Sequence, residues 1–416
     1  MQIKLVFIFL LFSFSVFAQI EQPEVARILQ TLCADDMQGR KPGTQASANA
    51  AAFIASEFEK AGLKTLPGTS NYLQQFNIVS STIREASVLA DGVNLPSTDF
   101  LVLAMQDTLA WDGVSIPRIT INKGENFGQK LFGLAQEKGD KIIIADTSNR
   151  KMLKRFISFG MKRIEGSSNI VVILTAAPVE KLEINAISNI NKISYQNVVA
   201  MVPGKIKDEF VVFSGHYDHL GIGKPVDGDS IYNGANDDAS GTTAVISLAK
   251  YFSTQKKPKR SLLFVAFTAE ESGGYGSSYF SKALDPQKVV AMFNIEMIGT
   301  ESKWGKNSAY ITGYEKSDFG KILQSSLTNT PFSFYPDPYP TQNLFYRSDN
   351  ATLAKLGVPA HTISTSKMDS EKYYHTVKDE FSTINLENMT EIIKSIALSS
   401  KLIISGKSTP TRVTGE

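Results

Sequence analysis

In the stretch YNGANDDASG, residues 232–241, two adjacent carboxylates, Asp237 and Asp238, stand between glycines. Further acids and an imidazole recur around it: His216 and Asp218 in HYDH, Glu270 and Glu271 in TAEE, Glu296 in FNIE. Taken singly, a glycine-flanked NDD is an ordinary turn and a paired glutamate an ordinary solvated helix start. Gathered and buried, they would carry a negative charge whose desolvation costs more than folding can supply. A divalent cation removes that cost. Imidazole and carboxylate donors without a thiolate suit zinc, manganese or cobalt, and a carboxylate shared by two cations suits a dinuclear hydrolytic site. One of the two aspartates then serves as the bridge, with Gly234 and Gly241 letting the backbone bend it into place.

That chemistry requires distant segments to meet, and the hydrophobic pattern predicts how they do. From Gln196 onward the apolar runs NVVAMV, FVVFSG, SLLFVAF, VVAMFNIE, SAYIT and PAHTIS alternate with helical patterns, among them residues 241–252 and a closing helix over 386–405. This predicts an α/β fold with a mostly parallel central sheet flanked by helices. In such sheets ligands bind beyond the carboxyl ends of the strands. FVVFSG runs into HYDH, SLLFVAFT into AEE, and VVAMFNIE closes on Glu296, so three successive strands discharge their acids and imidazole at one rim. Upstream, a helix, a glycine-containing loop over 39–43 and an alanine-rich helix over 46–61 precede a strand at NYLQQFNIV. Residues 84–195, with short apolar runs such as FLVLA and NIVVIL between polar turns, read as an inserted, mostly β domain.

A chain of 416 residues exceeds what one core usually holds, and 42% hydrophobic with 20% charged residues excludes long disordered tracts. MQIKLVFIFLLFSFSVFAQ predicts a signal peptide, residues 1–18, cleaved after the small Ala18. The expectation is therefore an exported protein, periplasmic or extracellular, with no stable membrane insertion after cleavage. The formal charge of +2 falls to +1 once Lys4 leaves with that segment, so no basic footprint points to nucleic acid or an anionic membrane. Cys33, the single cysteine, can form no internal disulfide and reads as a buried apolar side chain.

In their order, SGHYDHLG, NGANDDASG, FTAEESGGYGS, FNIEMIG and YYHTVKDE resemble the zinc exopeptidases that include bacterial leucyl aminopeptidase, aminopeptidase Y and the glutamate carboxypeptidases. The resemblance covers residues 196–406 and, through DDMQGRKPGT, 24–80. It implies a phosphorylase/hydrolase-like zinc exopeptidase fold with a catalytic domain over 19–83 and 196–410, and it puts residues 84–195 where some relatives carry a protease-associated domain. It implies that His216 ligates one zinc while Asp218 holds its other ring nitrogen. Asp237 becomes the bridging carboxylate, joined to Asp238 by a cis peptide; Glu271 and His375 ligate the other zinc, and Glu270 is the general base. Glu296 stands where many aminopeptidases of the group have an aspartate ligand of the His216 zinc. Two zinc ions are expected, one zinc being the alternative.

The activity so implied is removal of amino-terminal residues from peptide substrates by a metal-bridging water. A carboxypeptidase would instead need a basic fork for the terminal carboxylate, for which Arg347 is the candidate. The same scaffold also carries single-zinc glutaminyl cyclases and catalytically dead binding ectodomains, although the intact ligands and base here oppose the latter. Asp349 either receives a substrate amine or caps a helix. Tyr374 and its neighbour Tyr373 either stabilise an oxyanion or pack. Of the remaining histidines, His219 is expected to line the cleft or cap a turn, and His361 to be structural.

Overall fold

The computed structural model describes residues 19–414; the expected signal peptide, residues 1–18, lies outside them. The described residues divide into two compact units, one formed by residues 19–73, 198–271 and 281–414, the other by Gln74–Asn197 and Ser272–Phe280.

In the first unit six strands line up, β1 (Ile206–His216), β2 (Arg260–Phe267), β3 (Val289–Ile295), β4 (Ser308–Ile311), β5 (Ser333–Pro336) and β6 (Ala360–Ser364). Their order is β5-β4-β6-β3-β1-β2, and residues 198–202 pair antiparallel with β2 at the far side. β1 runs parallel to both β2 and β3, and β3 parallel to β6, with β4–β6 the antiparallel exception. The mostly parallel sheet read from the sequence is thus present. Its strands are apolar on both faces because helices cover both.

Register aligns Phe213 of β1 with Phe264 of β2 and Phe293 of β3. Their rings form a stacked row, at 5.5 Å and 4.8 Å between centroids, and Phe252 of helix α3 (Ser240–Ser253) closes on Phe213 at 5.7 Å. Three aromatic side chains meeting at one register level hold the central strands flush, so that their carboxyl ends fall together. On the other face a buried polar ladder ties the strands: Ser214 Oγ donates to Asn294 Oδ1 at 2.8 Å, and Asn294 Nδ2 donates to Ser348 Oγ at 2.7 Å and Thr362 Oγ1 at 3.1 Å.

Helices α1 (Gln22–Leu32), α2 (Gln45–Lys60) and α4 (Leu386–Ser399) belong to this unit, with shorter ones at Phe319–Ser325 and Asn350–Ala354. Thr44 caps α2 by accepting from Ser47 N, and Asn385 caps α4 by accepting from Asn388 N, as short polar side chains do at helix starts. The closing helix predicted over 386–405 is interrupted at Ser400, beyond which Lys401–Ile404 forms a separate turn. Cys33 is buried and reduced.

The second unit contains a four-stranded sheet, Phe100–Leu103, Ile170–Leu174, Lys141–Ala145 and Arg118–Ile121 in spatial order. It also carries two helices, Phe127–Gln136 and Arg150–Phe159, that the sequence reading did not separate from the surrounding strands. Among the described residues, no helix is long and apolar enough to cross a membrane.

Candidate metal centre

β1 ends on His216, β2 ends two residues before Ala269, and β3 stops at Ile295, so the rim of the sheet receives His216, Glu270, Glu271 and Glu296. The turns there are tight. Ala269, Met297 and His375 all adopt left-handed backbone conformations, with φ of 61°, 52° and 56°. Non-glycine residues in this region cost of order 1–3 kcal/mol each and persist where surrounding structure holds them, commonly at functional sites. The Asp237–Asp238 peptide is cis, as expected.

Asp237 is the centre of the arrangement. Its Oδ1 lies 3.3 Å from His216 Nε2, and its Oδ2 lies 3.3 Å from His375 Nε2 and 3.9 Å from His219 Nδ1. Glu271 Oε1 lies 3.1 Å from His375 Nε2 and 3.0 Å from His219 Nδ1. Two groups of side chains therefore share Asp237: His216, Asp237 and Glu296 on one side, and His219, Asp237 and Glu271 on the other. The longer Glu296, in place of the expected aspartate, still brings its carboxylate into the first group.

Asp238 turns away from this cluster and answers why two aspartates adjoin. Its Oδ2 accepts from His216 N at 3.1 Å, and its Oδ1 accepts from Gly241 N at 2.9 Å and Met297 N at 3.0 Å. One buried carboxylate thus pins the backbone of His216, the residue after Glu296 and the start of α3. Gly241 must be glycine, since a Cβ there would stand 2.0 Å from Ile295 O and 2.5 Å from both Asp238 oxygens.

Two supports escaped the sequence reading. Arg40, fully buried, donates to the carbonyls of Leu32, Tyr217, Asn233 and Gly234 at 2.6–3.0 Å, clamping the HYDH and NGANDD segments. The turn that aims it needs Gly39 at φ 64°, where a Cβ would meet Tyr232 O at 2.4 Å. Asp379 accepts from Asn236 N at 2.8 Å and Asp237 N at 3.0 Å and so carries the backbone of the shared aspartate. Both lie in quoted motifs, DDMQGRKPGT and YYHTVKDE, and a buried arginine or aspartate next to ligand segments is the signal that would have found them.

Buried acids and imidazoles shift one another here. Burial, reinforced by the Glu296, Asp349 and Glu271 carboxylates against the opposing His216, holds Glu270 well above the usual carboxylate range. Burial also pushes Glu296 and Asp218 up to about 7. Burial alone would lower the His375 imidazole, yet hydrogen bonding to Asp237 and Glu271 raises it to about 10. The imidazoles are being asked to act as counter-ions for the acids. Although His216 Nε2 faces Asp237, it and Glu296 Oε2 are buried without a well-directed hydrogen bond, as donor atoms aimed at a common point would be. The donor set and these orphaned atoms fit divalent cations.

The other expected residues fall as follows. The nearer partner of His216 Nδ1 is the Asp218 carbonyl, at 3.2 Å, rather than its carboxylate, whose Oδ1 is 3.8 Å away and accepts from Glu270 N at 3.1 Å. Glu270, Arg347 and Tyr374 line a cavity of about 130 Å³ that opens on Asp237, Glu271 and Glu296. The Tyr374 ring stacks on His375 with centroids 3.8 Å apart, whereas Tyr373 does not line the cavity. Asp349 is buried, and its side chain does not cap the helix Asn350–Ala354 that follows it. His361 is structural: Nε2 shares a hydrogen bond with Ser317 Oγ at 2.7 Å and Nδ1 one with Thr312 O at 2.8 Å. Of the two readings of His219, the turn cap is not made; its Nδ1 faces the Asp237–Glu271 pair.

Comparison with known proteins bears on the family and the fold. Residues 197–399 match the family model described as Peptidase family M28, which bears out the resemblance read from the ordered motifs. A "Probable zinc metalloprotease" of Leptosphaeria maculans is 36% identical over 109 residues, covering 26% of this chain and 25% of that protein. Aminopeptidase YwaD of Bacillus subtilis is 25% identical over 240 residues, covering 56% of this chain and 48% of the relative. The chain thus spans between a quarter and about half the length of these relatives. Among solved structures, the aminopeptidase from Aneurinibacillus sp. strain AM-1 superposes with a TM-score of 0.57 at 18% identity, covering 97% of each chain, which establishes the shared fold.

Proposed function

We propose, from the match to Peptidase family M28 and the shared-aspartate geometry, that this chain is a zinc-dependent exopeptidase that removes amino-terminal residues from peptides. The observation that carries the reading is Asp237, with one oxygen facing His216 and the other facing His375, beside Glu270 at the mouth of a cavity. His216, Asp237 and Glu296 would hold one zinc, and Asp237, Glu271 and His375 a second. Zinc, when bound, lowers the pKa of water towards neutrality and polarises a carbonyl oxygen.

The chain's own groups do the rest. Glu270 takes the proton of the attacking water and delivers it to the departing amine, a transfer suited to a carboxylate on the cavity wall that is not spent on a cation. Its neighbour Glu271 faces the imidazoles instead, so adjacent side chains serve different roles. The anchoring hydrogen bond from Glu270 N to Asp218 Oδ1 keeps the base in place. Tyr374, stacked on His375, walls the cavity and limits water access.

The choice of the amino end rests on the likeness to Aminopeptidase YwaD of Bacillus subtilis. With Asp237, Glu271 and Glu296 given to zinc, Glu270 and Arg347 are the charged groups left on the cavity wall. Arg347 is the observation that favours the second reading, a carboxypeptidase. A panel of peptides with free and blocked amino ends decides between them. Sequential release from free amino ends, abolished by acetylation, is expected; release of carboxyl-terminal residues from acetylated peptides would overturn it. The apolar leader ending at Ala18 supports export of the enzyme.

A further inference from the structure

His219 is fully buried, and its polar surroundings are unlike those of a packing histidine. His361 satisfies both ring nitrogens with a hydroxyl and a carbonyl. His219 directs Nδ1 at the two carboxylates of the second donor group, 3.0 Å from Glu271 Oε1 and 3.9 Å from Asp237 Oδ2, while Nε2 finds no hydrogen-bond partner among the described residues. His375 Nε2 reaches the same two oxygens at 3.1 Å and 3.3 Å. Two imidazoles thus converge on one carboxylate edge. Their rings meet edge-on, at 71° with centroids 5.7 Å apart, which lets both ring nitrogens approach one point without overlap.

The separations have a simple meaning. Donor atoms about 2.0–2.1 Å from a zinc ion stand roughly 3.3 Å apart when the arrangement is tetrahedral. The four imidazole-to-carboxylate distances here, 3.0, 3.1, 3.3 and 3.9 Å, scatter around that edge. A single hydrogen bond from His219 to Glu271 would account for the first of them but not for the convergence of both rings.

We propose that His219 is a fourth protein donor to the second cation, so that the two positions are unequal. This inference rests on the zinc reading above and goes beyond it. His216, Asp237 and Glu296 supply three groups to one cation; Asp237, Glu271, His375 and His219 supply four to the other. Closed four-donor sets are the mark of firmly held zinc, and three-donor sets leave a position for substrate. The four-donor position is therefore the last to empty, and the three-donor position is the one that exchanges and takes substrate.

The test uses the full mature chain and two readouts that do not depend on turnover. Stepwise chelator titration of the zinc-loaded parent should remove one equivalent readily and the second only at much higher chelator. In His219→Ser the tight equivalent should weaken by more than about 100-fold, beyond the 10–100-fold that loss of an outer hydrogen bond costs. A smaller loss would make His219 a positioning group on Glu271 and overturn the assignment. Should that variant fail to fold, the cobalt(II)-saturated parent decides by NMR. Three paramagnetically shifted, exchangeable imidazole protons support the proposal, and two overturn it. Failure of the parent to bind any cation would instead overturn the zinc reading itself.

Discussion

Replacing Asp238 with alanine separates the two adjacent aspartates by role. In the folded chain the Asp238 carboxylate accepts from three buried backbone donors, His216 N, Gly241 N and Met297 N, at 2.9–3.1 Å. Alanine leaves all three without a partner. Each such loss costs about 1–3 kcal/mol, partly offset because the buried carboxylate is itself expensive, so a net destabilisation of roughly 3–6 kcal/mol is expected. Total stability for a domain is about 5–15 kcal/mol, so this is a large fraction of it. At about 2–4 °C per kcal/mol for a domain of this size, the melting temperature should fall by roughly 6–24 °C. The assay is thermal unfolding followed by circular dichroism, with chelator present so that lost cation binding does not enter. Zinc affinity, measured separately, should also fall, because His216 and the residue after Glu296 lose their common anchor. An Asp238→Ala protein that melts within about 2 °C of the parent in chelator would refute the anchoring argument.

Glu270→Gln keeps the shape of the base but cannot take a proton, so turnover should drop by about 10²–10⁴-fold while zinc content stays that of the parent; zinc loss would mark Glu270 as a ligand instead. Burial pushes the His361 imidazole down to about 4, so between an unfolded value near 6.5 and that pH the unfolded chain binds a proton the folded chain refuses. Stability should therefore be complete above about pH 6.5, fall by roughly 3 kcal/mol as the pH drops to about 4, and level off below it. The stability difference between parent and His361→Asn, read from urea titrations in chelator, should shrink by that amount between pH 7 and pH 4; a constant difference would show that His361 does not titrate as argued.

Much of the site was legible because the sheet is parallel and buried. Apolar runs such as FVVFSG and SLLFVAF announce their own carboxyl ends, and the residues immediately after them, His216, Glu270 and Glu271, must lie on the rim. Glu296 followed by the same logic; the place between glycines marked the Asp237–Asp238 pair, and the ordered motifs chose Asp237 from it. His375 came only through the ordered motifs, since nothing local to YYHTVKDE marks a loop that returns to the rim. The missed groups share a physical reason: Arg40 and Asp379 act through tertiary contacts over long sequence separations, and an isolated arginine or aspartate has no periodicity to expose it. The two helices of the second unit were hidden for a related reason, because Phe127–Gln136 and Arg150–Phe159 are short and set among strands of similar apolar content.

The central claim is that divalent cations join these residues into a hydrolytic site. Metal analysis of the purified protein, coupled to hydrolysis of an aminoacyl substrate before and after chelation, tests it most directly. Two equivalents of zinc, activity lost with chelator and regained on adding zinc are the predicted result. Undiminished hydrolysis in a protein stripped of metal, or a folded protein that retains no zinc at all, would contradict it.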